Sequence, residues 1–154
     1  MRRAVVAVAG TIGLVIVTGL SAYAVAAPKG PTKRALSQTL TGATISANES
    51  ALKVVSSLDG TGAALQHVSV TGKTFPLSGK LTETIYFADG VAKAKGTFKL
   101  SALDANAIST ITGSGKCVSG TRVHKAEKCT FTFTGTYNSK TTITKVKVIG
   151  TDTR

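Results

Sequence analysis

Glu83 is the residue of this chain whose setting best suits acid–base chemistry. It alternates with Leu81, Ile85 and Phe87, so it shares one face of a predicted strand with apolar side chains. If that face is buried, loss of hydration raises the pKa of the carboxyl group, which can then act as an acid or a base. The sequence favours the opposite arrangement, in which the face that carries Tyr86 points inward and Glu83 lies in solvent. Glu83 and Tyr86 are therefore the candidate polar groups of an interior cavity, depending on which face is inward.

Cys117 and Cys129 are the only cysteines of the chain. An even cysteine count in an exported protein predicts a disulfide. The ring would enclose about a dozen residues, and closing a ring of that size stabilises a fold by about 3 kcal/mol. A zinc site would need further soft ligands, and the only histidines are His67 and His124. We therefore expect a disulfide, no metal and no cofactor.

The segment between the cysteines is basic. One interpretation is a cationic loop, held at its base so that little ordering entropy is lost when it binds an anion. The sequence favours another, in which the disulfide staples a long hairpin whose basic residues are simply solvated. We expect His124 at the surface, and the alternation of His67 with Val68 and Val70 predicts that His67 is exposed too. The basic residues in and beside this segment are Lys116, Arg122, His124, Lys125 and Lys128.

Positive charge dominates the composition, with 19 Lys and Arg, 7 Asp and Glu, and a formal net charge of +12. About +10 remains without the two N-terminal arginines. Lysines alternate with apolar or small residues from Val91 to Ser101, so a period of two puts them in water. One interpretation is that this charge attracts anionic envelope polymers. The other is that it only keeps a secreted protein soluble. The candidate anion-binding residues are Lys93, Lys95, Lys99, Lys116, Arg122, Lys125, Lys128, Lys145 and Lys147.

Known catalytic and nucleotide-binding patterns are missing from the sequence. Neither histidine has a catalytic motif around it, and no phosphate-binding loop or dinucleotide fingerprint stands between a predicted strand and a helix. Tryptophan is absent, and few aromatic rings remain on which sugars or bases could stack. We therefore expect a protein that is not an enzyme and that binds no specific nucleic acid.

From Leu36 onward the sequence resembles a series of short strands joined by turns. Asp89-Gly90 predicts a two-residue type I′ hairpin turn, in which both residues need positive φ. The last run alternates less cleanly, because Ile143 and Ile149 fall on the side of the lysines, which a bulge or an edge position would explain. Residues 51–58 could also form a short helix. The predicted strands are 36–45, 52–58, 63–71, 81–88, 91–101, 108–113, 129–137 and 141–149.

Eight such segments without a long helix predict one all-β antiparallel domain over residues 36–154. Strands that follow one another in sequence favour an up-and-down order. We expect a small barrel rather than a β-sandwich, because closure removes the exposed edges that a secreted sheet must otherwise protect.

The N-terminal residues predict export. A charged start, an apolar run over residues 4–20 and small residues before Val25 and Ala27 form the pattern of a signal peptide, here 1–26, with an alanine-rich core typical of bacteria. The alternative is an uncleaved membrane anchor, since ~20 apolar residues can span a bilayer. Residues 27–35, with two prolines and several basic residues, are interpreted as a linker. We expect a secreted protein, or else a membrane-anchored one whose domain lies outside.

A glycine- and threonine-rich pattern surrounds the cysteines. It consists of Gly113-Ser114-Gly115-Lys116, Ser119-Gly120-Thr121, Ala126 and Phe131-Thr132-Phe133-Thr134-Gly135-Thr136. These residues resemble the glycine-rich hairpin of the allene-oxide-cyclase and dirigent-type barrels and their small secreted bacterial relatives. The sequence departs from that pattern at Arg122, Val123 and Lys128-Cys129, which replace a glycine, an aromatic residue and a later glycine. The resemblance covers about 25 residues, implies an eight-stranded antiparallel barrel and transfers no catalytic residue.

Together these observations predict an exported, non-enzymatic β domain with a structural or binding role at the cell surface. Its partners would be anionic envelope polymers or an extracellular protein. One alternative is a barrel that holds a small ligand, as a carrier or a cyclase-like enzyme. Another is a secreted inhibitor or effector that acts through the disulfide loop.

Overall fold

A computed structural model describes residues 30–154, and the predicted signal peptide or anchor lies outside the described residues. Pro31–Arg154 forms one compact unit. A 3-10 helix spans Arg122–His124, between the sixth and seventh strands. The strands are β1 (Lys33–Ser46), β2 (Glu49–Ser56), β3 (Gly60–Thr71), β4 (Leu77–Phe87), β5 (Gly90–Leu100), β6 (Ile108–Gly120), β7 (Lys128–Asn138) and β8 (Ile143–Thr153).

The eight strands close into a barrel in sequence order. Each strand pairs antiparallel with its neighbours in sequence, and β8 closes the sheet by pairing with β1 from Lys33–Thr153 to Ala43–Ile143. The predicted all-β antiparallel barrel is therefore confirmed, and the sandwich alternative is excluded. Among residues 30–154 there is no helix both long and apolar enough to cross a membrane.

Several strand boundaries differ from the predicted ones. β1 begins at Lys33 rather than Leu36, and its first residues pair with β8. β6 continues to Gly120, seven residues beyond the predicted end, because its many small and polar residues hide the alternation that pairing with β5 and β7 imposes. Residues 51–58 do not form a helix, since β2 pairs along its whole length with β3.

The hairpin between β4 and β5 is present, but its turn differs from the predicted one. Phe87 pairs with Gly90, so the two loop residues are Ala88 and Asp89. Asp89 is not among the non-glycine residues with positive φ, which excludes a type I′ turn at Asp89-Gly90. Gly90, with φ of 154°, begins the next strand in a conformation that favours glycine.

The uneven alternation of β8 has a different cause from the one predicted. β8 pairs without a register shift on both sides, so it contains no bulge and is not an edge strand. Ile143 and Ile149 simply lie on the outer surface, with 39% and 53% of their area exposed. Val146 and Val148, on the other face of β8, are buried inside the barrel.

The two ends of the barrel differ in composition. At one end lie the connections that follow β1, β3, β5 and β7. At the other lie the short connections after β2 and β4, the 3-10 helix and Arg154, with charged side chains. The apolar core lies between the two ends, and seven of the eight strands contribute buried residues to it. The exception is β6, whose partly buried Ile111 packs against this core.

Candidate ligand-binding cavity

The barrel interior holds a cavity of about 210 Å³. It extends from the middle of the barrel to the end where β1 turns into β2 at Ala47. Its lining is mostly apolar and contains no lysine, arginine or histidine. The apolar lining residues are Leu40, Ala47, Val68, Val70, Leu81, Phe98, Leu100, Ile111, Phe131, Phe133, Val146 and Val148.

Glu83 points into this cavity, which corrects the favoured sequence interpretation. Glu83 is 7% exposed, whereas Tyr86, the other candidate, is 48% exposed and faces solvent. Leu81, Ile85 and Phe87, which share the face of β4 that carries Glu83, belong to the apolar core, so this face points inward. Burial of the Glu83 carboxyl raises its pKa to about 7. Its Oε1 atom is buried and has no hydrogen-bond partner among the described residues.

A band of polar side chains runs from the cavity rim to Glu83 across four adjacent strands. Thr44 on β1 pairs with Ser50 on β2, Ser50 with Gln66 on β3, and Gln66 with Glu83 on β4. All four line the cavity, and the hydroxyl oxygens of Thr44 and Ser50 lie 3.4 Å apart. This band gives an otherwise apolar cavity one side that can donate and accept hydrogen bonds.

The opposite side of the cavity is aromatic and aliphatic. Phe131 and Phe133 alternate on β7, and their ring centroids lie 6.3 Å apart. Phe133 lies directly over Gly113 of β6, where a Cβ atom would overlap the ring and the carbonyl oxygen of Thr97. Glycine at this position therefore lets the ring approach the backbone of β6 closely.

Three residues form the floor of the cavity. Glu83, Phe131 and Val148 line both the cavity and a smaller void of about 20 Å³ that continues toward the charged end. The carboxyl group of Glu83 and the ring of Phe131 therefore both border the deepest part of the cavity.

Arg154 organises the charged end. Its guanidinium nitrogens lie 2.6 Å from Asp59 Oδ1, 3.0 Å from Asp152 Oδ2 and 3.3 Å from Glu127 Oε1. Arg34 adds a second cation 2.8 Å from Asp152 Oδ2. These ion contacts raise the pKa of Arg154 even though its partial burial lowers it. Sequence analysis did not predict the cluster, because its members are far apart along the chain.

His124 also belongs to this end, and the expectation of a surface histidine is wrong. It is 0% exposed, stacks on Phe87 with 5.6 Å between ring centroids, and lies beside two carboxylates. Its Nδ1 atom is 2.6 Å from Glu127 Oε2 and its Nε2 atom 3.3 Å from Asp89 Oδ1. The 3-10 helix turns this side chain back over the barrel end, which local sequence alone does not reveal. His67, by contrast, is exposed as predicted.

The charged end is better explained as structural than as a metal site. Ligand atoms of Asp59, Asp89 and His124 lie within 4.8 Å of one another. However, Asp59 is already paired with Arg154, whose positive charge would oppose a cation. A second group of possible ligands consists of Cys117, Glu127 and Cys129. Its two cysteines are joined in a disulfide, so neither has a thiolate that could bind a metal.

The predicted disulfide between Cys117 and Cys129 is present. It joins β6 and β7 one position beyond the Lys116–Thr130 pair, where the regular ladder ends. The backbone then forms the connection that carries the 3-10 helix. Arg122, Lys125 and Lys128 of the predicted basic loop are exposed.

The candidate lysines lie outside the barrel and form two groups. Lys95 on β5 pairs directly with Lys116 on β6, and Lys93 and Lys99 flank this pair on β5. The other group, Lys145 and Lys147, lies on β8. Threonines and Ser114 fill the outer face of β6 and β7 between the groups, at positions Thr110, Thr112, Ser114, Thr130, Thr132, Thr134 and Thr136.

Negative charge is kept away from this outer surface. Glu83 is inside the barrel, Asp59, Asp89, Glu127 and Asp152 belong to the charged end, and Asp104 lies in the connection between β5 and β6. Glu49 stands at the cavity rim. Within residues 30–154, the ion pairs involve Arg34, Arg154 and His124 but no lysine.

No protein-family model matches this chain, and neither a curated protein nor a solved structure is significantly similar. The resemblance to the allene-oxide-cyclase and dirigent-type barrels therefore stays a prediction.

Proposed function

We propose that this chain is an exported, non-enzymatic barrel whose interior binds a small and largely apolar molecule. The observation that carries the proposal is the cavity of about 210 Å³, with apolar walls and the buried carboxyl of Glu83 at its floor. Apolar cavities of about 150 Å³ are already large enough to take up benzene. A ring-sized ligand with one polar group matches both the volume and the lining.

Binding is favoured over catalysis by the scarcity of reactive groups in the cavity. A cyclase-like barrel would place an acid and a base on either side of its substrate. The ionisable residues of the lining are Glu83 at the floor, Glu49 at the rim and Tyr137. One deep carboxyl group in an apolar cavity suits recognition of a single polar group on a ligand.

Binding can be tested with indole, a neutral ring with one polar group, followed by NMR of the methyl groups of Val68 and Val146. We expect saturable shifts of these signals. Val70→Trp should weaken binding by ~10-fold or more, because Val70 lies at the rim and lines the cavity. Ser69→Trp, one residue away on the outward face of β3, is the matched control and should bind indole normally. The proposal fails if indole, benzene and toluene all leave the cavity signals unmoved.

A second function, binding of anionic envelope polymers, is supported by the outer face of β5 to β8. Lys99, Thr112, Thr134 and Lys147 are successive partners across these four strands. Two cations about 14 Å apart, three strand spacings, would flank hydroxyl groups that can bond to phosphate or sulfate oxygens. This face carries no carboxylate to compete with a polyanion.

The polymer-binding function can be tested with poly(glycerol phosphate) at several salt concentrations. Changing Lys95, Lys99 and Lys147 to Gln should weaken binding and flatten its salt dependence, since up to three phosphate contacts are lost. The control with the same charge change replaces Lys33, Lys53 and Lys73, which lie outside β5 to β8. Equal loss in both triple variants would mean that net charge alone attracts the polymer. Arg122→Gln together with Lys125→Gln separately tests the predicted effector loop.

A further inference from the structure

We infer that the cavity selects ligands that carry a protonated amine, with the ammonium group placed at the floor beside Glu83. The inference rests on the proposed ligand-binding function and adds the chemical class of the ligand. An organic cation with a ring-sized apolar body is the class that fits the charges and shape of the site.

The first argument is the unpaired carboxyl group. Glu83 is almost fully buried and lines the cavity, and its buried Oε1 atom has no hydrogen-bond partner among the described residues. A buried carboxylate is stabilised most by an opposite charge within hydrogen-bond distance. The protein supplies none, because no basic side chain lines the cavity. A cationic group on a ligand would therefore supply the partner that the Glu83 carboxylate lacks.

The second argument excludes the opposite charge. An anionic ligand would enter a cavity with no positive side chain and would meet one carboxyl group at the rim, Glu49, and another at the floor. Both the loss of hydration and the repulsion would weaken its binding. The many lysines outside the barrel do not alter this, since they lie on the outer face and are screened by solvent.

The third argument is the surroundings of the floor. Phe131 lines both the cavity and the void beyond it, as Glu83 does, so an aromatic ring and the carboxyl group border the same part of the cavity. Aromatic faces attract ammonium groups, most strongly in desolvated sites. Gln66, directly opposite Glu83 on β3, offers an amide oxygen as a further acceptor. The polar band thus suits a donor-rich ammonium better than a neutral hydroxyl group.

The pKa of Glu83 predicts how amine binding depends on pH. Burial raises this pKa to about 7, so the carboxyl is largely protonated at pH 5.5 and largely ionised at pH 8. An ammonium pairs with the ionised form, so binding at low pH must first release the proton of Glu83. We expect the affinity for an amine to fall roughly tenfold per pH unit below 7, and the affinity for a neutral alcohol to change little.

The experiment compares 2-phenylethylamine, 2-phenylethanol and phenylacetate on the full chain by calorimetry at pH 8. We expect the amine to bind at least ~10-fold more tightly than the alcohol, and phenylacetate to bind most weakly. Glu83→Gln keeps the side-chain shape and removes the charge, so it should abolish the preference for the amine over the alcohol. Asp104→Asn removes an exposed carboxylate that lies outside the cavity and should keep the preference.

The outcomes separate this inference from the proposed function. Equal binding of amine and alcohol by the unaltered chain, or an amine preference that persists in Glu83→Gln, would overturn the inference and leave ligand binding in place. Failure of all three compounds and of indole to bind would overturn the proposed function as well. Tighter binding of phenylacetate would also overturn the inference, because it would require a cation in the cavity.

Discussion

Gln66 on β3 lies directly opposite Glu83 on β4, and both side chains line the same interior cavity. Gln66 does not form a hydrogen bond with the buried Oε1 atom of Glu83, which stays unpartnered. The other neighbour of Glu83 in the sheet, Ala94 on β5, has no polar side chain to offer. The burial of this carboxyl group is therefore uncompensated, and its cost can be measured.

We predict that Glu83 destabilises the fold as the pH rises from about 4.5 to 7. Its pKa is raised from 4.5 in the unfolded chain to about 7 in the barrel, so in this window the folded state binds more protons. Stability then falls with rising pH and levels off above 7, with a total cost of about 3 kcal/mol as an upper estimate. Below pH 4.5 both states hold the proton and the effect vanishes.

Urea unfolding of the unaltered chain and Glu83→Gln at pH 4.5 and pH 8 measures this cost. We expect similar stability at pH 4.5 and a more stable Glu83→Gln variant at pH 8. Glu49→Gln, at the rim, controls for loss of one negative charge. A Glu83→Gln variant less stable than the unaltered chain at pH 8 would show that the carboxylate gains compensation in the folded state.

Replacing Arg154 should destabilise the barrel. Arg154→Met leaves the carboxylates of Asp59 and Glu127 without their common cation, and such a loss typically costs 3–5 kcal/mol, here taken as ~3 kcal/mol because Arg154 is partly exposed. Lys128→Met is the matched control, since it removes an exposed cation near the same end and should change stability by less than ~0.5 kcal/mol. Denaturant unfolding at pH 7 compares the two. Equal effects would mean that Arg154 acts only through net charge.

Removing the disulfide should lower the stability of the fold and leave the cavity able to bind a ligand. Cys117 and Cys129 are 12 positions apart, and loss of a ring of this size costs ~3 kcal/mol. Neither cysteine lines the ligand cavity, so a folded Cys117→Ala/Cys129→Ala variant should still bind indole. Thermal unfolding with and without reductant gives the first quantity, and NMR titration the second. Loss of indole binding in a folded variant would mean that the disulfide is needed to maintain the shape of the cavity.

The close approach of Phe133 to Gly113 predicts a strong effect of one methyl group. Gly113→Ala would drive a Cβ atom into the ring and into the carbonyl oxygen of Thr97, at a cost of ~1–3 kcal/mol. Ser114→Ala changes the next residue of β6, whose side chain is exposed, and serves as the control. Thermal unfolding of both variants tests the difference. Equal melting temperatures would mean that the ring moves aside without strain.

The alternation of side chains is the part of this fold that the sequence carries most plainly. In β5 and β7, lysines or threonines alternate with small and aromatic residues, and the structure puts each set on the predicted face. Period two is a local property of a strand, so neighbouring residues suffice to define it. The prediction fails where both faces are polar or small, as in the second half of β6 beyond Gly113.

The orientation of β4 could not be decided in the same way. Its two faces, one with Glu83 and the other with Tyr86, each contain residues that a barrel can bury. Only pairing with β3 and β5 fixes which face joins the core. Gln66 did carry a local signal, because it alternates with Ala64 and Val68 on the side that the sequence marks as core.

The sequence by itself determined the strand alternation, the barrel class and the disulfide, because these follow from neighbouring residues, turn spacing and an even cysteine count. Only the tertiary structure decided what lies inside. Closure brings Asp59, Glu127 and Arg154 together across long stretches of chain, buries His124, and leaves Glu83 alone at the floor of a cavity. Such contacts depend on strand register and barrel closure, which are set by all eight strands at once and have no local signature.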